Sequence, residues 1–283
     1  MTAWSDYENV LSCPICEQPM HVDGKTVRCN KGHCFDIARK GYLNMLRKQA
    51  NDFYSAELFE CRSTIFELGF YDAVLREIER ALNEHQMTNE PLTVLDAGCG
   101  EGFWLHRLAQ PGFRLAADET TPTRRIGIDT SKGAIAKACS KDPQAAWIVG
   151  DLANSPLQPG SVDVILSVLS PSNYECFSKL LSSNGIVIKV LPTEDYLKEL
   201  RDAAGIHPKP DAGEEPRVLQ HMRECVNVIS ANTVVDRVPV TQEQARAWAK
   251  MTPMLRRVDH DALDLSGVDG ITVSMIVAVA KVR

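Results

Sequence analysis

Three thiols and an imidazole stand in the pattern C-x2-C-x12-C-x3-H, formed by Cys13, Cys16, Cys29 and His33. A two-residue gap lets both thiolates of a pair face one ion from a tight knuckle. Four soft or borderline ligands in two pairs suit tetrahedral zinc. The set leaves no open coordination position, which points to a structural ion rather than a catalytic one. Cys34 follows His33 directly and is its rival as fourth ligand, because adjacent side chains rarely both bind one ion. The other cysteines, Cys61, Cys99, Cys139, Cys176 and Cys225, are scattered, and the total of nine is odd. That usage fits a reducing compartment and metal binding rather than a disulfide framework.

The second constellation is Val94-Leu95-Asp96-Ala97-Gly98-Cys99-Gly100-Glu101-Gly102. Glycines let the chain turn sharply after a strand and approach a ligand closely. The spacing is G-x-G-x-G, not the G-x-G-x-x-G of dinucleotide sites, and no Lys-Ser/Thr pair follows to make a P-loop. Asp96 at the strand end suits a cation better than a pyrophosphate. Asp129, 29 residues after Gly100, closes the next apolar run and can accept from ribose hydroxyls. Asp151 closes the third, where adenine contacts are expected. Each acid alone reads equally well as a helix cap or turn residue. Together, with a glycine loop at the first, they describe a site for a nucleoside carrying a positive charge, and S-adenosylmethionine is that molecule.

These residues require a scaffold of alternating strands and helices. Strands are expected at 92–97, 125–129, 146–149, 162–168 and 185–191, with helices after Gly102 and over 131–140, 174–181 and 195–204. Ser131 is the expected N-cap of its helix. Late strands over 226–240 and 271–282 flank a helix at 241–251. The rhythm predicts an α/β, Rossmann-like parallel sheet with a terminal antiparallel hairpin. Residues 205–217, rich in Pro, Gly and acids, read as a loop. Apolar residues from Leu58 to Leu82 recur at helical spacing, broken near Gly69, and predict one or two helices. The expected organisation is a zinc-binding module at 1–48, a helical linker at 49–90 and a cofactor-binding domain at 91–283.

The chain of 283 residues is 44% apolar and 24% charged, which excludes disorder. No apolar run approaches the ~20 residues of a membrane helix, and a secretory leader pattern is missing, so a cytoplasmic protein is expected. The net charge of −6 argues against a generally basic nucleic-acid-binding surface. Residues 21–50 are the exception, with seven Lys/Arg against two Asp. Lys25, Arg28, Lys31, Arg39 and Lys40 could meet a phosphate backbone there, or simply form a solvated face.

Residues 92–190 resemble a class I S-adenosylmethionine-dependent methyltransferase. The zinc pattern running on into His33-Cys34-Phe35-Asp36, followed by Gly41-Tyr42-Leu43-Asn44, resembles the RlmA family, guanine-N1 methyltransferases of large-subunit ribosomal RNA. Ser170-Pro171-Ser172-Asn173-Tyr174 and Met251-Thr252-Pro253-Met254 also look like family segments, so that the resemblance spans nearly the whole chain. It implies zinc on Cys13, Cys16, Cys29 and His33, and a homodimer gripping an RNA hairpin. It implies cofactor contacts at Gly100, Glu101, Gly102 and Phe103. Tyr71 matches a tyrosine reaching the cofactor from the linker helices, and Tyr196 sits where some relatives have a cofactor-touching His.

Guanine N1 carries a proton at neutral pH, so such a site must remove it or stabilise the deprotonated base. No histidine is obviously placed for this, and no general base can be named. Ser170 and Asn173, after the fourth strand, are the candidates for orienting a flipped base; the alternative is a loop merely shaped by Pro171. Two rival readings of the chain are a small-molecule methyltransferase with a zinc staple and a non-catalytic cofactor- or RNA-binding protein. The basic stretch favours an RNA substrate over the first, and the intact acids and glycines favour an enzyme over the second.

Overall fold

The computed structural model describes residues 4–46, 56–85, 91–115, 122–206, 216–260 and 262–282. A 3-10 turn at Trp4–Val10 leads into a small antiparallel sheet of β1 (Met20–Asp23), β2 (Thr26–Cys29) and β3 (Cys34–Asp36). Strand β4 (Leu43–Asn44) follows. Helices α1 (Ala56–Glu67) and α2 (Asp72–Glu84) are separated at Gly69, whose φ of +77° ends the first. Then come β5 (Leu92–Ala97), α3 (Phe103–Leu108), β6 (Thr123–Asp129), α4 (Lys132–Lys141), β7 (Ala146–Val149), β8 (Val162–Val168), α5 (Tyr174–Leu180) and β9 (Leu181–Pro192). The chain ends with α6 (Lys198–Ala203), α7 (Arg217–Cys225), β10 (Asn227–Pro239), α8 (Gln242–Met251) and β11 (Gly270–Lys281).

Eight strands form one sheet in the order β10-β11-β9-β8-β5-β6-β7-β4. Strands β4 to β9 pair in parallel, and β11 and β10 add antiparallel at one edge. The inner strands β5, β7 and β8 are buried at every position, as a sheet covered on both faces requires. From β5 the chain steps outward through β6 and β7, then returns to β8 on the other side of β5. Ligands of open α/β sheets bind where the strand order reverses in this way, at the carboxyl ends of the strands.

Local chemistry fixes the helix starts. Ser131 Oγ accepts from Ala134 N, as expected of an N-cap. Thr241 and Gln244 make a reciprocal capping box on α8. Helix α6 is shorter than the 195–204 expected, and β9 begins four residues before 185. Helix α7 was not foreseen: its residues adjoin a Pro/Gly/acid-rich stretch, and only packing of Leu219 and Met222 under the sheet edge defines it. Most of the expected 205–217 loop lies outside the described residues.

The N-terminal segment is not a tethered appendage. Trp4, Tyr7, Leu11, Met20, Leu43 and Met45 are buried against Leu95, Ile126 and Ile148 on one face of the main sheet. Strand β4 pairs with β7, Leu43 opposite Ile148, and so joins the main sheet although the sequence groups it with the metal-binding residues. Helices α1, α2, α3 and α8 cover the opposite face. Among the described residues no helix is long and apolar enough to cross a membrane.

Candidate active site and zinc centre

Two backbone knuckles bring the four metal-binding residues together. Cys16 N and Glu17 N donate to Cys13 O, and Gly32 N donates to Cys29 O. The Cys13, Cys16, Cys29 and His33 ligand atoms all lie within 4.8 Å of one another. His33 Nδ1 is 3.5 Å from Cys13 Sγ and 3.4 Å from Cys29 Sγ, and the Cys16 and Cys29 sulfurs are 3.7 Å apart. Bond lengths of ~2.3 Å to sulfur and ~2.0 Å to nitrogen give tetrahedral edges of about 3.8 and 3.5 Å. The cluster therefore fits zinc, with His33 bound through Nδ1. Cys34 is exposed on β3 and outside the cluster, which decides between the two rivals. Lys25, Arg28, Lys31, Arg39 and Lys40 are all exposed on this module.

At the reversal point the chain leaves β5 through three left-handed glycines. Gly98 N and Cys99 N both donate to Ile128 O, which folds the loop over the end of β6. A Cβ on Gly98 would stand 2.8 Å from Ser170 Cβ, and one on Gly102 would stand 2.3 Å from the Trp147 ring. Gly98 is thus dictated by the neighbouring loop and Gly102 by the core. Asp129 holds this arrangement with both oxygens: Oδ2 accepts from Gly100 N and Oδ1 from Ser131 N, each at 2.8 Å.

Asp96 is 1% exposed, and its Oδ2 has no hydrogen-bond partner among the described residues. Burial, reinforced by the Asp129 charge, pushes its carboxyl up to about 8. A buried carboxyl with one oxygen left unpartnered at the mouth of a glycine loop is a site that a cation would complete. Glu101 is also buried and raised by burial, with Arg62 of α1 3.5 Å away and acting against that rise. Arg62 lies over the Phe66 ring, which stacks on Phe103 at 4.1 Å. Tyr71, at the start of α2, meets Phe103 and Trp104, and its phenol oxygen is 2.8 Å from that of Tyr196. The helices before the sheet thereby roof the glycine loop, and no motif marks Arg62.

The segment after β8 forms the other wall. Leu169 takes φ +51°, rare for a branched side chain, and turns the chain across the end of β5. Ser170 Oγ donates to Ala97 O at 2.7 Å, which ties this loop to the strand that carries Asp96. Asn173 Oδ1 caps α5 by accepting from Cys176 N at 3.0 Å. Of the sequence candidates, Asp96, Gly98, Gly100, Glu101, Gly102, Phe103, Asp129 and Ser170 form one neighbourhood, with Tyr71 and Tyr196 at its roof. Asp151 stands at its edge. Gly150 N donates to Asp129 O, but the exposed Asp151 carboxylate caps the next turn by accepting from Ala153 N. Lys189 of β9, which no motif marks, sits buried beneath the Ser170 loop and donates to Ser170 O.

The residues present fit S-adenosylmethionine: the unpartnered Oδ2 of Asp96 for its cationic part, Asp129 for its hydroxyls, and a glycine loop between them. Comparison with known proteins agrees. The model "RlmA, N-terminal", a zinc ribbon, matches residues 11–51, and the model "Methyltransferase domain" matches residues 94–183. The putative 23S rRNA (guanine-N(1)-)-methyltransferase YxjB of Bacillus subtilis is 36% identical, over 91% of this chain and 90% of that one. The 23S rRNA (guanine(748)-N(1))-methyltransferase of Streptomyces fradiae is 27% identical over 96% of both. A putative 23S rRNA (guanine-N(1)-)-methyltransferase of Micromonospora griseorubida is 28% identical over 96% of this chain and 97% of that one. With the Cys3His cluster, the glycine loop and this end-to-end similarity in one chain, the protein belongs to the RlmA family of zinc-ribbon, S-adenosylmethionine-dependent methyltransferases.

Proposed function

We propose that this protein methylates N1 of a guanine in a hairpin loop of large-subunit (23S) ribosomal RNA, acting as a cytoplasmic homodimer. The observation that carries this reading is the similarity along nearly the whole chain to relatives named for that reaction. The exposed basic residues of the zinc module support an RNA partner, since a small-molecule enzyme has no need of them. Zinc is structural here: it closes the module whose apolar residues cover the β5–β7 face of the sheet.

Bound S-adenosylmethionine supplies an electrophilic methyl group, so the protein chiefly has to hold and align the reactants. Asp96 would meet the cationic part of the cofactor, and Asp129, already fixed by Gly100 and Ser131, would accept from its ribose hydroxyls. Gly98, Gly100, Glu101, Gly102 and Phe103 would form its cradle, Tyr71 and Tyr196 would close it from above, and Asp151 would border the adenine. Ser170 and Asn173 flank the entry of the target base.

The test is methyl transfer from labelled S-adenosylmethionine to unmodified large-subunit rRNA, with primer extension to locate the product. N1 methylation blocks base pairing, so the expected result is a single stop at one hairpin guanine. RNA affinity should also fall steeply as salt rises. Transfer without an N1 stop, or turnover of small acceptors with no RNA dependence, would overturn the reading.

A further inference from the structure

The buried amine on β9 lies outside the cofactor cradle. Lys189 is 3% exposed, and its Nζ lies 3.1 Å from Ser167 Oγ and against Ser170 O. Among the described residues no carboxylate pairs with it. Side chains alternate across a strand, so Asp96, in the same layer as Val94, lies on the other face of the sheet. Asp163 shares the Lys189 face but is four residues down β8, with Oδ2 bound to Thr93 N and Oδ1 to Ser182. Strand β11 presents Ala278 beside it.

The helices over this face bring other titratable groups. Helix α5 carries Tyr174, raised by burial, Cys176, raised by burial to about 11, and an exposed Glu175–Lys179 pair. Helix α7 carries His221 and Glu224, 3.6 Å apart, together with Cys225 and the cations Arg217 and Arg223. None of these groups makes an ion pair with Lys189. Burial without a counter-charge pulls the Lys189 amine down to about 8.

The hydroxyls around Lys189 form a path to the loop. Ser167 Oγ is fully buried and lies 3.2 Å from Ser172 Oγ, which is half-buried between the exposed Pro171 and Asn173. Ser170 Oγ is 3.1 Å from Ser167 but spends its proton on Ala97 O. Ser172, with the Tyr174 phenol beside it, is therefore the end of this chain nearest the loop surface. As a neutral amine Lys189 can donate to Ser170 O and accept from Ser167, while Ser167 accepts from Ser172, which points the hydroxyl protons toward the amine.

We propose that Lys189 is the terminal acceptor for the proton displaced during methyl transfer, reached from the base through Ser172 and Ser167. The inference rests on the guanine-N1 reading above, whose proton otherwise has no destination. The base N–H bond breaks and its proton goes to Ser172 Oγ. The Ser172 proton moves to Ser167 Oγ, and the Ser167 proton moves to Lys189 Nζ, which becomes an ammonium. The pair left on nitrogen bonds the methyl carbon, and the pair of the broken carbon–sulfur bond stays on sulfur. After product release the ammonium returns its proton to solvent along the same hydroxyls. Lys189 touches neither reactant and acts through the serines.

Two measurements test this. First, protein labelled with 13C at lysine Cε is titrated by NMR, with the Lys189 signal assigned from Lys189→Arg. One lysine should titrate near pH 8. If Lys189 titrates with the surface lysines, the relay is overturned whatever the substrate. Second, single-turnover methylation is followed from pH 6 to 9.5. The wild-type rate should rise and level near pH 8. Lys189→Met and Lys189→Arg should each lose about 10²–10⁴-fold and the inflection with it, while the Kd for S-adenosylmethionine changes less than about threefold. Ser172→Ala, which leaves the core intact, should lose rate but retain the low-titrating lysine. A purely structural ammonium predicts rescue by arginine, which cannot be deprotonated. Such rescue, or an unchanged profile in Ser172→Ala, overturns the relay. A wild-type enzyme that makes no N1 stop while Lys189 still titrates near pH 8 overturns the substrate reading and not the lysine's state.

Discussion

The phenol oxygens of Tyr71 and Tyr196 lie 2.8 Å apart, although 125 positions separate them in the chain. One belongs to the helical segment before the sheet and the other to the loop after β9, so this bond joins the two halves of the roof over the glycine loop. Burial, with the Tyr196 phenol adding to it, raises Tyr71 well above its ordinary value, and burial pushes Tyr196 up to about 12 although the bond to Tyr71 acts against that rise. Both stay protonated throughout the neutral range. Tyr71→Phe or Tyr196→Phe leaves one buried hydroxyl without its partner and should cost about 1–3 kcal/mol in urea unfolding. The double variant should be no worse than either single one. A strictly additive loss would mean that the two hydroxyls do not depend on each other.

Zinc removal should destabilise the whole protein, not only its first residues. Leu11, Met20, Leu43 and Met45 cover the β5–β7 face, and β4 is part of the main sheet. Cys29→Ser or chelation should lower Tm by about 10 °C or more in a single transition. Cys34→Ser should retain one zinc per chain by elemental analysis, because its exposed sulfur lies outside the ligand cluster. Zinc loss in Cys34→Ser would refute the assignment of His33.

Two glycines of one loop should fail in different ways. A Cβ at Gly100 finds Arg62 Nη2 at 3.5 Å, so Gly100→Ala bears mainly the left-handed backbone, about 1–2 kcal/mol. Its fold should survive while calorimetry shows weakened cofactor binding. A Cβ at Gly102 meets the Trp147 ring at 2.3 Å. Gly102→Ala should therefore lose about 3 kcal/mol or more and unfold early. Equal stability of the two variants would contradict the packing described.

Asp96 makes stability and cofactor binding depend on pH. Its folded carboxyl is raised to about 8 by burial and the Asp129 charge. The native state then holds a proton that the unfolded chain releases above about pH 4. Stability of the ligand-free protein should fall as pH rises from about 4 to 8, by at most about 1.4 kcal/mol per pH unit for this group. A cation beside Asp96 favours its ionised form, so binding S-adenosylmethionine at pH 7 should release a proton. Calorimetry in buffers of different ionisation enthalpy reads this directly. Binding without proton release would remove Asp96 from contact with the cofactor's charge.

The zinc ligands, the glycine loop, Asp129 and the strands of the parallel sheet were legible from sequence because each is local chemistry. Two knuckles, an alternation of buried runs and caps such as Ser131 are written within a few residues of one another. His33 was the expected ligand over Cys34 and the cluster bears it out, but the reason, which side chain turns inward when β2 and β3 pair, was not written in the spacing. Nor was the docking of the zinc module: the Leu43–Ile148 pairing joins residues more than a hundred positions apart, and two residues are too short to show a strand's period. Asn173 and Asp151 read as site residues from their places after the strands, and only the fold shows that their oxygens also serve as caps. Arg62 beside Glu101 and Lys189 beneath Ser170 carry no motif at all. A single charged residue in an apolar run acquires its chemistry from what buries it, and burial is a property of the assembled sheet and its layers rather than of any one segment.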